Sequence, residues 1–340
     1  MARPAAARTT IVVGSGSAGG LLAARLSEDP GHRVVVLEAG PDYPDAAVLP
    51  AALRDRFNPD LVSHDWGFTA YDIEPEGARP PVPYPRGRVV GGTSTINGSV
   101  AVRGLPEDYD AWAALGNDRW SFEQVLPYLV RLERDLDFAG PFHVKDGPIP
   151  IRRLPLETMP EPYRVFVAAC KAHGFSECAD HNDPTSTGVG PMPRNELGEL
   201  RASALVAALN PVRGCANLEL RAGTHLTRVL LDGGRAVGVE AVTASGTERI
   251  EGDEVVLCAG AIMSPHILFH TGIGPCEALA AAGLPCVVDV PGVGRSLRDH
   301  ALAPFVADAS VMPDITSGLT NVTAFMIGER AADLLAAPRE

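Results

Sequence analysis

Residues Thr9 to Glu38, TTIVVGSGSAGGLLAARLSEDPGHRVVVLE, decide the fold. Thr9 to Val13 reads as a short buried strand. Gly14-Ser15-Gly16-Ser17-Ala18-Gly19 forms a turn, and Ala18 to Glu28 reads as a helix with Leu21, Leu22 and Leu26 on its apolar side. Pro30-Gly31 ends the helix. Arg33 to Glu38 is almost wholly apolar, the pattern of a parallel strand covered on both faces. A β-α-β unit of about 30 residues is the size of a mononucleotide-binding half. In such a unit Gly14 permits the tight turn after the strand. Gly16 lets the backbone approach a pyrophosphate, and Gly19 lets the helix pack closely. The helix N-terminus offers amides and a partial positive charge to the phosphates. Glu38 ends the second strand about 20 residues after the last glycine, where a carboxylate meets a ribose diol and repels a 2′-phosphate. The motif leaves the choice between NAD and FAD open.

Outward from this unit, 340 residues give room for two domains, or for one large α/β domain with insertions. A hydrophobic content of 46% excludes global disorder, and a net charge of −13 argues against a nucleic-acid partner, which needs a basic face. No apolar run approaches the ~18 residues of a membrane span. No hydrophobic signal core follows Arg3 and Arg8, so the expected location is cytoplasmic. Cys170, Cys178, Cys215, Cys258, Cys276 and Cys286 form no CxxC pair and read as free, buried thiols.

Further along, residues 41–85 are irregular. Helices are expected over Glu107–Leu115, Phe122–Leu136 (Ser121 as N-cap), Pro160–His173, Pro265–His270, Glu277–Ala282 and Arg330–Ala337. Strands are expected over Asn217–Leu220, Leu226–Leu231, Ala236–Thr243, Thr247–Ile250 and Val255–Leu257, with Gly233-Gly234 as a hairpin turn. Gly91-Gly92-Thr93-Ser94-Thr95 presents hydroxyls and backbone amides in a flexible turn suited to another part of a long ligand, and Asn97-Gly98 continues it. His266 and His270, four apart on a helix, are half of a metal pattern, but no acidic or cysteine partner accompanies them, so no metal is expected. Asp180-His181-Asn182-Asp183 reads as a polar loop. His32, His64, His143, His173, His181 and His225 are isolated and give no signal.

Gly87-Arg88-Val89-Val90-Gly91-Gly92-Thr93-Ser94-Thr95-Ile96-Asn97-Gly98, continuing to Arg103-Gly104, resembles the first signature of the glucose–methanol–choline (GMC) oxidoreductases. Asp108-Tyr109-Asp110, Trp112, Trp120, Pro127-Tyr128 and Glu133 continue the resemblance. Gly260 to Pro275 is similar to the second signature, with Thr271 where serine is usual. Pro291 to His300 resembles the PGVGxNLxDH segment, with Arg295 and Arg298 departing from it.

This resemblance implies an α/β fold: a Rossmann-like FAD-binding domain over residues 9–306 after a tail of residues 1–8. Segments of a second, incomplete substrate-binding domain are inserted within 41–85 and 150–210, and residues 307–340 begin a truncated substrate domain. It implies FAD, held by Gly14, Gly16, Ser17, Gly19, Glu38, Arg88, Gly91, Gly92, Ser94, Asn97, Gly98, Val100, Leu226, Ala259, Gly260, Asp299 and His300. Some relatives carry a histidine near Asn97 that bonds the flavin. Asparagine cannot, so the flavin is expected to be non-covalent. The reaction implied is oxidation of a small-molecule alcohol, with electrons passed to oxygen or a carrier. The family's catalytic histidine lies in a later segment, and no histidine follows His300 here. His300 is a weak substitute, so the catalytic residue is unassigned and the chain reads as a fragment. It would expose an incomplete face open to self-association or a partner chain. A flavin-binding non-enzyme, half of a split enzyme and an NAD-dependent dehydrogenase are the alternatives.

Overall fold

A computed structural model describes residues 8–56, 59–71, 81–300, 329, 332 and 333. Expectations for residues 1–7 and 301–340 lie outside the described residues, save that Ala332 and Asp333 are helical. In chain order the main elements are β1 (Arg8–Val13), α1 (Ser17–Leu26), β2 (His32–Leu37), α2 (Pro106–Ala114), α3 (Phe122–Leu132), β3 (Glu133–Asp135), β4 (Ile149–Ile151), α4 (Glu161–Ala172), β5 (Leu218–Arg221), β6 (His225–Asp232), β7 (Arg235–Thr243), β8 (Gly246–Glu251), β9 (Glu254–Leu257), α5 (Gly260–Thr271) and α6 (Cys276–Ala281). Most agree with the sequence reading to within two residues. Among the described residues, two compact units divide the chain. The first takes 8–97, 203–297, 332 and 333; the second takes 98–202, 298–300 and 329. The insertion boundaries expected at 41–85 and 150–210 do not coincide with this division.

In the first unit a parallel sheet has the order β9-β1-β2-β5. Its central strands are apolar on both faces because both are covered. Ile11, Val13, Val35 and Leu37 point to one face. There they join Leu226, Val229, Val239, Ala241 and Ile250 of the antiparallel sheet β6-β7-β8, together with Ile267 of α5. Against β1 and β2 packs α1, which buries Leu21, Leu22 and Leu26.

The second unit contains α2, α3, α4 and the parallel pair β3–β4. Tyr109 is fully buried, with its ring 5.5 Å from Trp112 and 6.1 Å from Phe122, and so joins α2 to the start of α3. Ser121 stands at the N-cap of α3, but its side chain does not cap the helix.

Three further expectations need correction. The helix expected over Phe122–Leu136 stops at Leu132. Glu133–Asp135 turns extended and pairs with Ile149–Ile151, because Glu133 and Asp135 are drawn into a buried ion cluster. The helix expected to begin at Pro265 begins at Gly260 and carries Pro265 internally. The six cysteines are not all free: α6 and the turn after it bring Cys276 and Cys286 together as a disulfide, Cα–Cα 5.3 Å. Of the remaining four, Cys178 is buried and the others are half-buried.

Candidate cofactor site

The order β9-β1-β2 makes β1 a switch point: the chain leaves it on one side through α1 to β2, and β9 pairs with its other edge. In open α/β sheets ligands bind outside the carboxyl ends of the strands at such a point. At these strand ends stand Gly14–Gly19 after β1, Glu38 after β2, and Cys258-Ala259-Gly260 after β9. Gly14 N donates to Leu37 O at 2.8 Å and Cys258 N to Val13 O at 2.7 Å, which fixes all three turns side by side.

The glycines of the fingerprint are not equivalent. Gly14 has φ +93°, and a Cβ there would lie 2.5 Å from Cys258 O. At Gly19 a Cβ would lie 1.9 Å from Gly14 O. Backbone and packing therefore require both glycines. Gly16 differs. Its φ of −63° and ψ of −166° suit any residue, and a Cβ would meet nothing closer than Gly92 Cα at 3.9 Å. Neither conformation nor packing accounts for glycine at 16. It is also the N-cap of α1 and provides no side chain to the first-turn amides.

The Gly91-Gly92 turn lies directly on this loop. A Cβ on Gly92 would come within 2.8 Å of Gly16 Cα, so the two backbones approach as closely as glycine permits. A buried hydrogen-bond chain joins the motifs. Glu38 Oε2 accepts from Ser15 N (3.2 Å) and Ser15 Oγ (2.7 Å), and its Oε1 accepts from Gly40 N (3.0 Å). Ser15 Oγ in turn accepts from Gly91 N at 3.1 Å. Burial pushes the Glu38 carboxyl up from its ordinary value, and these donors oppose that shift. Ser15 was not among the residues singled out in the sequence, since a serine between two glycines carries no signal of such a link.

The other expected residues are placed as follows. Ser17 opens α1, half-buried. Ser94 is buried, and its hydroxyl donates to Gly91 O (2.6 Å) and accepts from Ala204 N (2.9 Å), which holds the turn. Asn97 is half-buried, with its N–H on Thr93 O. Arg88 is exposed, its guanidinium 5.0 Å from the centre of the Trp66 ring. Thr224 N donates to Glu38 O, which leads β6 and buried Leu226 away from the same strand end. Ala259 caps α5 and Gly260 begins it at φ +82°. Gly98, Val100, Asp299 and His300 belong to the second unit. Thr271, where serine is usual, is buried. Its hydroxyl accepts from Val229 N (3.0 Å) and donates to Ile267 O (2.8 Å), a task for which either hydroxyl residue suffices.

In the second unit the structure builds a cluster that the sequence did not reveal. His143 Nδ1 lies 2.9 Å from Glu133 and 3.2 Å from Asp135, and Nε2 lies 2.6 Å from Asp180. Arg103 pairs with Glu133 at 2.6 Å, and Arg153 with Asp135 (2.7 Å) and Asp180 (2.6 Å). All six side chains are buried. Burial alone would depress the imidazole, but the bonds from Asp135, Asp180 and Glu133 lift it to about 11. Asp135 and Asp180 resist burial through His143 and Arg153 and are held below the ordinary carboxylate range. Three cations thus balance three carboxylates. Glu133, Asp135 and His143 have metal-like spacing, but Arg103 and Arg153 already pair with the two carboxylates and Asp180 with the imidazole Nε2. Asn182 completes the cluster by accepting from Arg103 N (2.9 Å) and donating to Ala101 O (3.0 Å), so the polar 180s loop buries Asp180 and Asn182. Arg103 ends the first signature, and the cluster therefore pins the chain where it leaves that motif.

Comparison with known proteins accords with this arrangement. The family model for GMC oxidoreductase matches residues 9–302. The chain is 38% identical over 307 residues to a 5-(hydroxymethyl)furfural oxidase of Methylovorus sp. (strain MP688), covering 87% of this chain and 58% of that protein. It is 39% identical over 292 residues to an oxygen-dependent choline dehydrogenase of Brucella anthropi, covering 85% and 52%. The crystal structure of pyridoxine 4-oxidase from Mesorbium loti superposes with a TM-score of 0.77 at 34% identity, covering 84% of this chain and 55% of that one. The chain spans about half the length of the relatives it matches, from their N-terminal part. With the family model matched over residues 9–302, the chain belongs to the GMC oxidoreductases, a family of FAD-binding flavoproteins.

Proposed function

We propose that this chain is the FAD-binding part of an enzyme that oxidises the CH–OH group of a small alcohol. The observation that carries the reading is Gly16. Glycine there serves neither backbone nor packing, so its purpose is the close approach of a pyrophosphate to the N-terminus of α1. When bound, the flavin accepts hydride from the alcohol carbon and passes the electrons to oxygen or a carrier.

The chain's own residues bind and orient. Gly14, Gly16, Ser17 and Gly19 hold the pyrophosphate. A carboxylate offers about four acceptor directions, and Ser15 and Gly40 take three of those on Glu38. Glu38 therefore keeps at most one acceptor direction for a ribose hydroxyl rather than enough for the full diol. Arg88, Gly91, Gly92, Ser94 and Asn97 line the ribityl chain and flavin, with Ser94 acting through its hold on Gly91 and Ala204. Leu226 presents its backbone to adenine, and Ala259 and Gly260 stand at the same strand ends for the flavin. Asn97 cannot form the histidyl bond, so the flavin is released on denaturation. Residues 98–202 contribute to the substrate domain. No residue of this chain is assigned as the base that takes the hydroxyl proton, and the chain spans about half the length of the relatives it matches.

The visible spectrum of the purified chain tests the reading. Flavin bands that pass into the supernatant on acid precipitation are expected, with very slow bleaching by simple alcohols. A colourless protein that binds NAD would overturn the cofactor assignment. Rapid bleaching by an alcohol would show that this chain itself supplies a base.

A further inference from the structure

Helix α5 places His266 and His270 one turn apart on one face. Their ring centroids are 4.5 Å apart, with the planes at 60°. Both side chains are exposed, while Ile267 and Thr271, about 100° further round the helix, are buried. Neither imidazole has a hydrogen-bond or ion-pair partner among the described residues; the ring neighbour of each is the other. His225, on β6 of the same unit, is close enough to influence His266 electrostatically. Neither the sheet core nor the proposed cofactor contacts explain this pair.

We propose that His266 and His270 form a surface chelate for a late first-row divalent cation, Cu(II) or Ni(II) in preference to Zn(II), with water in the remaining positions. Metal–imidazole bonds of about 2.0–2.1 Å need the two donor nitrogens roughly 3–4 Å apart. Exposed rings on adjacent turns reach that separation by small side-chain rotations. Two nitrogen donors with open positions suit the tetragonal preference of Cu(II) and Ni(II), which also bind imidazole ahead of earlier metals in the first-row order. Structural Zn(II) sites take four protein ligands, and this face offers two. The buried group Glu133, Asp135 and His143 does not compete, because Arg103 and Arg153 already balance its carboxylates.

The test is calorimetric titration of the purified 340-residue chain with Ni(II), and electron paramagnetic resonance with one equivalent of Cu(II). One ion per chain is expected, with nitrogen hyperfine coupling from two imidazoles. The second bond of a chelate is intramolecular, so His266→Ala and His270→Ala should each weaken binding by roughly a hundredfold. Both changes are on exposed positions, and unchanged melting curves would verify that the variants fold. His173→Gln, at an exposed histidine of the other unit, should leave binding unaltered. Binding that survives either alanine variant, that falls equally in His173→Gln, or that is absent at millimolar metal overturns the proposal.

Discussion

Adding one methyl group at Gly16 and the same group at Gly19 should have opposite consequences. At Gly19 the new carbon would lie 1.9 Å from Gly14 O. Relief requires α1 to move by more than about 1 Å from the strand it packs on, and overpacking of this kind costs about 1–3 kcal/mol or more. Domains of this size lose about 2–4 °C in Tm per kcal/mol, so apo Gly19→Ala should melt several degrees lower. At Gly16 the carbon meets nothing within 3.8 Å, since Gly92 Cα is 3.9 Å away, and the backbone angles suit alanine. Apo Gly16→Ala should therefore melt within about a degree of wild type, as a change that disturbs no packing does. Its methyl group would instead hold the pyrophosphate away from the first-turn amides. Two lost charge-assisted hydrogen bonds at about 1.5–3 kcal/mol each weaken FAD by roughly 10²- to 10⁴-fold. Scanning fluorimetry of the apoproteins and titration of FAD by quenching of its fluorescence separate the two effects. Wild-type FAD affinity in Gly16→Ala, or a fall in apo Tm as large as that of Gly19→Ala, would refute the assignment of Gly16 to a ligand.

The remaining predictions concern the buried polar groups. His143→Ala should cost about 3–5 kcal/mol, because it leaves three carboxylates facing two guanidinium groups. The His143 value of about 11 lies above the ordinary 6.5, so its contribution is complete below pH 6.5 and declines as pH rises towards 11. Asp135 and Asp180, held below the ordinary 3.8, contribute above that pH and lose their contribution as pH falls through their folded values. The gap in Tm between wild type and His143→Ala should thus be wider at pH 6 than at pH 9.5; an equal gap would contradict the charged state. Glu38→Ala removes the acceptor of Ser15 N and Gly40 N and should destabilise the apoprotein by about 1–3 kcal/mol per orphaned donor, read by chemical denaturation. Thr271→Val should cost about 1–3 kcal/mol by leaving Val229 N–H without its partner, whereas Thr271→Ser should stay within about 1 kcal/mol of wild type. A loss in Thr271→Ser as large as that in Thr271→Val would show that the methyl group matters as much as the hydroxyl.

The sequence by itself determined the β-α-β unit from Thr9 to Glu38, the order of the signatures and hence the family. Those features are local: an apolar run covered on both faces, glycines at set spacings, and an acidic residue at a strand end are all written within a few tens of residues. What only the tertiary structure decided depends on groups far apart in the chain. Glu38 meets Ser15 and, through it, Gly91, because the strand ends converge at the switch point. His143 looks isolated in the sequence, yet it is the centre of a six-residue ion cluster drawn from Arg103 to Asp180, and that cluster turns Glu133–Asp135 from helix to strand. Cys276 and Cys286 lie ten residues apart without a recognisable spacing and are joined by the path of α6 and its turn. Periodicity records which face a residue turns inward. It does not record which distant residue waits there, and in a low-dielectric interior that partner decides whether a charge is stabilised, neutralised or excluded.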